Sequence, residues 1–139
     1  MDEQKFSVGK FILSAIATAF HFAFGGWSMA LICLIGLVVI DYLTGMGVAK
    51  RKGEIDSRIG KIGFMTKCLY FVAITAMRWV DLGLGLPLPV LQTLATWNLI
   101  IIEGESIIEN LDELGVSLGT PLKKAFKRIK ERDHDIPMP

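Results

Sequence analysis

Trp27 to Ala49 reads WSMALICLIGLVVIDYLTGMGVA, and the reading of this stretch decides the fold class. Apart from Asp41 and a few small or hydroxyl residues it is apolar. As a helix rising about 1.5 Å per residue it extends about 34 Å, enough to cross a hydrocarbon core of about 30 Å. Two further apolar runs follow, Ile62 to Val80 and Leu88 to Ile108. None alternates polar and apolar residues as a half-buried strand would, and an open sheet edge finds no partner for its backbone in lipid. The chain therefore reads as an all-α membrane protein. Three transmembrane helices are expected, with an N-terminal amphipathic helix that could form a fourth crossing and a C-terminal basic amphipathic helix.

Composition agrees. Of 139 residues, 52% are hydrophobic and 21% charged, more apolar material than a single small soluble domain can hide. Fifteen Lys and Arg stand against fourteen Asp and Glu, so the global basic field that holds nucleic acid is absent. Cys33 and Cys68 lie inside apolar stretches and read as packing residues rather than a disulfide or metal pair. A chain this short leaves little room for inverted transporter repeats, which directs attention to oligomers of a small helical unit.

Charge placement sets orientation. The segment KRKGEIDSRIGK, residues 50–61, carries Lys50, Arg51, Lys52, Arg58 and Lys61, whereas the turn DLGLGLPLP, residues 81–89, has no basic residue. By the positive-inside rule the first connection is cytoplasmic and the Gly/Pro turn lies on the far side. The C terminus is then cytoplasmic, where Lys123, Lys124, Lys127, Arg128, Lys130 and Arg132 cluster. Thr120-Pro121 reads as a helix start, with Leu122, Ala125, Phe126 and Ile129 on one face and the cations around the rest. Such a helix suits binding to an anionic inner leaflet, at about 1 kcal/mol per basic residue near the surface. A solvated, partly ordered tail is the plainer reading, and the final DHDIPMP is expected to fray.

Ahead of these runs, Ser7, Lys10, Ser14, Thr18 and His21 recur at spacings of three and four within an otherwise apolar Phe6–Phe24, a single polar stripe on a helix. That helix can lie in the headgroup layer with its stripe in water, the favoured placement, or cross with the stripe toward protein or a lumen. Asp2 and Glu3 argue against a cleavable signal peptide. The organisation is then a membrane segment over 1–26, a three-helix domain over 27–110 and a cytoplasmic basic tail over 111–139.

Asp41, Lys67 and Glu103 all fall within about two turns of the cytoplasmic ends of their apolar runs, so they can meet at one depth. An unpaired charge at mid-membrane costs about 2.5 to 3.5 kcal/mol on insertion scales, which favours mutual neutralisation. Arg78 and Asp81, one turn apart at the other boundary, are expected to pair or snorkel. The cluster reads either as a structural ion pair that fixes helix register or as groups that, with Thr44, Tyr70, Ser106 and Glu109, face water when protomers assemble. A proton relay is the weakest reading. Gly45 and Ala49 form a small-xxx-small pair and Gly36 thins the same helix, which permits close helix packing within or between protomers. No serine elbow, metal-spaced His/Cys group or phosphate cradle is present, so neither an enzyme nor a cofactor is expected.

One longer pattern adds to this. The segment DYLTGMGVAKRKGEIDSRIGKIGFMTK (41–67), an apolar helix, then EGESIIENLDELGV (103–116) and PLKKAFKRIK (121–130) resemble the toxin secretion and phage lysis holin family. The likeness covers roughly Gly26 to Lys130. It rests on Asp41, Tyr42, Thr44 and Gly45, on Ser57, Gly60, Gly63 and Lys67, and on Glu103, Gly104, Ser106, Ile107, Glu109 and Asn110, in order and spacing. Ile102 and Glu105 depart from the family's usual Asn and apolar residue, and Gly115 to Pro121 is a looser form of its Gly-x-Pro-x-Pro step. The resemblance implies a homo-oligomer in the host cytoplasmic membrane that forms timed lesions. Through these a cell-wall hydrolase or toxin would pass without being bound directly. A small constitutive channel or transporter subunit is the alternative, and a membrane scaffold with a recruiting tail a third.

Overall fold

The computed structural model describes the backbone of residues 2–53 and 57–134 and the side chains of 7–53, 60–122 and 124–129. The expectations resting on Lys123, Lys130 and Arg132 as side chains, on Arg58 in the basic connection and on fraying of the last residues lie outside those described. Five helices account for the regular structure, with no strand among the described residues: α1 Asp2–Phe24, α2 Met29–Lys52, α3 Ser57–Gly83, α4 Val90–Glu113 and α5 Thr120–His134.

Local chemistry sets the boundaries. Ser28 caps α2 by accepting from the Leu31 N–H at 3.1 Å, and Gly53, in the left-handed region, closes it by donating to Ala49 and Lys50 carbonyls. Lys50, Arg51 and Lys52 sit in that last turn, where they complement the carbonyl end of the helix dipole. α4 begins at Pro89, which offers no side-chain cap. Asp81 of α3 does so instead, reaching across the turn to accept from the Leu91 and Gln92 N–H groups, both at 2.9 Å. The acid expected to pair with Arg78 therefore serves α4, and Arg78 turns to Gln92 and to a carbonyl of α1.

α4 is the central element: α2, α3 and α5 pack on it, while α1 packs on α3. α2 and α4 run parallel. Their first turns line one cavity, and at the far end Arg51 donates to the Glu113 carbonyl at 2.8 Å while Lys52 pairs with the Glu113 carboxylate. The apolar core is small, built on Leu31, Leu34 and Ile74 with Phe20, Phe24, Phe71, Leu99 and Ile100 around it. Outside it, large apolar side chains such as Ile32, Val39, Leu43, Met65, Leu69, Val72 and Leu94 are exposed. Accessible surface totals 10503 Å², against roughly 7,200 Å² for a compact soluble chain of this mass. These exposed apolar side chains contribute to the surplus, as expected of helices that face lipid.

Among the described residues, two helices are long and apolar enough to cross a membrane by length and composition, residues 7–24 of α1 and the whole of α2. α3 and α4, about 40 and 36 Å long, have the reach. Their internal charges and amides, Lys67 and Arg78 on α3 and Gln92, Glu103 and Glu105 on α4, lower their mean hydropathy. The three tryptophans, Trp27, Trp79 and Trp97, all lie toward the end where α2 and α4 begin and are each more than half exposed. Lys50, Arg51, Lys52 and Lys61 occupy the opposite end.

α5 folds back onto α4. Gly104 is buried because the Phe126 ring lies on it; a Cβ there would stand 2.7 Å from Phe126 Cε1, so this approach requires glycine. Leu122 and Ile129, on the same apolar face, remain exposed. Phe126→Ala is expected to remove about 1–2 kcal/mol of contact and to speed tryptic cleavage after Lys124, Lys127 and Arg128 by roughly tenfold. Equal cleavage of the two proteins in detergent would show that the ring does not hold α5.

Candidate functional site

Three helices each contribute one charge to the centre of the bundle. Leu34, Asp41 and Val48 recur every seven residues on the buried face of α2, so Asp41 is carried inward with the apolar side chains above and below it. Glu103 lies on the face of α4 that buries Gln92, Thr96 and Ile108, and at 1% exposure it is the most secluded charge described. Lys67 extends from α3 between them. Its Nζ stands 2.8 Å from Asp41 Oδ2 and 2.5 Å from Glu103 Oε2, and 5.7 Å from the centre of the Tyr70 ring. One ammonium thus ties three helices.

Neutral donors around the triad complete the arrangement. Asn110 Nδ2 donates to Asp41 Oδ1 at 2.9 Å and to Thr44 Oγ1 at 3.2 Å, while Thr44 donates its own proton to the Ile40 and Asp41 carbonyls, both 3.0 Å away. Every buried side-chain nitrogen and oxygen among the described residues has a partner. The formal charge of the triad is −1, and the amide of Asn110 rather than a second cation faces the second oxygen of Asp41. Buried ions are tolerated only with such complete hydrogen bonding.

The other sequence-derived residues distribute differently. Gly45 faces Asn110, whose Nδ2 would lie 3.7 Å from an added Cβ, and belongs to the α2–α4 contact. Ala49 is half-buried below it, whereas Gly36 has nothing within 4 Å of a Cβ and faces open surface. Thr44 points inward to Asn110 within one protomer. Ser106 is half-buried and Glu109 exposed. Ser7, Lys10, Ser14, Thr18 and His21 are all exposed along α1, with Thr18 donating to the Ser14 carbonyl at 2.8 Å. Lys124, Lys127 and Arg128 are exposed on α5. No group of three or more His, Cys, Asp or Glu residues able to hold a metal occurs among the described residues.

Sequence reasoning missed Asn110, Gln92 and Thr96 as members of the buried seam. The signal was available: amides and hydroxyls at 92, 96 and 110 share the helical face of Glu103.

Because Lys67 serves two acids, its replacement is the most damaging single change. Lys67→Met leaves two carboxylates facing each other and is expected to cost about 3–5 kcal/mol, against less for Asp41→Asn, which keeps an acceptor for Asn110. Exchanging Asp41 and Lys67 alone places a new carboxylate beside Glu103, so restoration requires Asp41→Lys, Lys67→Asp and Glu103→Gln together. Thermal unfolding in detergent, read by helicity, checks the order. Equal stability of Lys67→Met and the wild type would remove the triad as the bond between the helices.

The bacteriophage holin family matches residues 18–131, a span that includes the triad, Asn110 and most of α5. An uncharacterized 14.9 kDa protein from the region 3′ of nagH in Clostridium perfringens is 32% identical over 123 residues, covering 88% of this chain and 93% of its own length. An uncharacterized protein of Halalkalibacterium halodurans is 34% identical over 125 residues, covering 87% and 93%. No solved structure matches. With an apolar surface around buried, paired charges and a family match across most of its length, this membrane protein belongs to the bacteriophage holin family.

Proposed function

We propose that the chain is a lesion-forming holin. It accumulates in the host cytoplasmic membrane with α2, α3 and α4 crossing, the C terminus in the cytoplasm and α1 in the headgroup layer. It then self-associates into openings that release a cell-wall hydrolase or a toxin. The observation that carries this reading is the inside-out arrangement of the bundle, in which Asp41, Lys67 and Glu103 are enclosed while Ile32, Val39, Leu69, Val72 and Leu94 face outward. A soluble helical bundle has the opposite polarity.

Two further features support the orientation. Exposed tryptophans gather at one end, as at a membrane–water interface, and Lys50, Arg51, Lys52 and Lys61 at the other, as on a cytoplasmic face. Lys124, Lys127 and Arg128 of α5 are exposed and suit an anionic leaflet surface. Part of the lower mean hydropathy of α3 and α4 comes from Lys67, Arg78, Gln92 and Glu103, which meet one another between the two helices.

The energetics suit a delayed transition. A protomer whose charges are satisfied internally is harmless in the bilayer, and helix association there depends on packing and polar contacts rather than on a hydrophobic drive. In the assembled state Glu109, Ser106 and the stripe of α1 face water, and Asp41–Lys67–Glu103 contacts re-form between protomers or give way to hydration. The formal −1 of the triad couples it to the membrane potential, at about 2.3 kcal/mol per charge moved through 100 mV. Collapse of the potential thereby shifts the balance between the two states.

Expression of the chain with a cytoplasmic cell-wall hydrolase in a bacterial host is expected to give normal growth, then abrupt loss of viability with the hydrolase outside the membrane. Slow ion leakage without passage of the hydrolase would instead identify a small channel subunit and overturn the proposal.

A further inference from the structure

At the tryptophan end a cavity of about 280 Å³ lies between the α1–α2 turn, the end of α3 and the start of α4. Arg78, Gln92, Ser28, Thr93, Thr96 and Trp27 line it. Arg78 is the cation of this cavity, and its partners are all neutral. Nε donates to the Phe22 carbonyl at 3.3 Å and Nη1 to Gln92 Oε1 at 3.5 Å, both longer than a good N–H···O bond of about 2.9 Å. A guanidinium has five N–H donors, so most of its capacity is unspent.

Asp81 is one turn away and would be the natural counter-ion. Both of its carboxylate oxygens are already occupied by the backbone N–H groups that open α4. No ion pair involves Arg78 among the described residues. Gly25 fixes the guanidinium in place: at φ +76 it makes the turn after α1, and a side chain there would overlap Arg78 Nη1. A cation is thus built into a cavity at the membrane boundary with its geometry held and no carboxylate in direct contact with it among the described residues.

We propose that this cavity binds a phosphate group, that of a phospholipid in the outer leaflet. The chemistry is a phosphodiester oxyanion bridging the free N–H donors of Arg78, with the Ser28, Thr93 and Thr96 region forming a polar wall and Phe24, Trp27 and Leu31 meeting the glycerol and upper acyl chain. Lipid rather than free phosphate is the favoured source because Trp27 lines the cavity and Trp79 adjoins Arg78, which puts the mouth at headgroup depth. The lipid is in effect the missing counter-ion, and its binding clamps the α1–α2 turn to α3 and α4. This inference rests on the orientation proposed above.

The full chain in detergent, supplied with phosphatidylglycerol, is expected to retain bound phospholipid in native mass spectrometry. Arg78→Gln should lower retention by roughly tenfold, the loss of one or two charge-assisted hydrogen bonds. Millimolar inorganic phosphate should not displace the lipid. Retention unchanged in Arg78→Gln would overturn the site, and displacement by inorganic phosphate would overturn the lipid as its occupant. Should the variant fail to fold, the wild type answers alone. Amide exchange over residues 26–30 should be slower in phosphatidylglycerol bilayers than in uncharged glycolipid bilayers lacking phosphate, and equal exchange would overturn the proposal. Depth-dependent quenching of tryptophan fluorescence by labelled lipids separates the two claims. Quenching deep in the acyl region rather than at headgroup depth defeats the orientation, whereas headgroup-depth quenching with unchanged retention defeats the site alone.

Discussion

One ammonium group holds the bundle together. Lys67 bridges Asp41 and Glu103, and since each of the three comes from a different helix, no pair of helices can slide without breaking a contact buried from solvent. In water such a network would add little to stability, because desolvation offsets the attraction. In lipid the comparison changes. Apolar side chains gain nothing from leaving lipid for a neighbouring helix, whereas an ion stripped of its partner and turned to hydrocarbon carries a large penalty. The triad therefore specifies register where the small core of Leu31, Leu34 and Ile74 could not.

The central position of α4 follows from the same constraint. Its buried face carries Gln92, Thr96, Glu103 and Asn110, polar groups spaced along more than half of its length, and each requires a hydrogen-bond partner. Gln92 donates to the Phe24 carbonyl at 2.8 Å, Asn110 reaches α2, and Glu103 reaches α3, while Thr96 is satisfied within α4 by the Gln92 carbonyl. A helix with so many obligations can only be surrounded. α1, whose stripe makes no comparable demand on the bundle, meets α3 through Phe22 and Phe24, which contact Trp79 and Phe71.

Much of this was legible in the chain. Helix content follows from the long apolar runs, and the convergence of Asp41, Lys67 and Glu103 follows from helical rise and a shared distance to the basic end. The partners of Asp81 and Arg78 were not legible, because a three-residue spacing on one helix suggests a local pair. What decides the outcome is the start of α4, where Pro89 supplies no side-chain cap and two backbone N–H groups need an acceptor. Likewise the periodicity of α5 identifies its apolar face but not the surface that face meets. The contact between Phe126 and Gly104 depends on where a six-residue connection delivers the helix, and no local pattern encodes that direction. Asn110 lay within a recognisable motif, yet its role as donor to Asp41 emerges only when α2 and α4 are seen to run parallel.

The two ends of the bundle differ in how they satisfy charge, and this bears on which end yields first. At the basic end Asp41, Lys67 and Glu103 answer one another, and Asn110 and Thr44 absorb the remainder, so separation of α2 from α4 there exposes several groups at once. At the tryptophan end Arg78 is held by two long bonds to neutral acceptors, and the cavity beside it already leaves space between helices. Local opening draws on the weakest set of contacts. In the transition proposed above, the α1–α2 turn beside the cavity therefore moves first, while Asp81 keeps the end of α3 on the start of α4 and the triad gives way last. A transition with that order stays closed while the inner contacts stand and proceeds abruptly once they exchange, since the three charges cannot be released one at a time without leaving another unpaired in lipid.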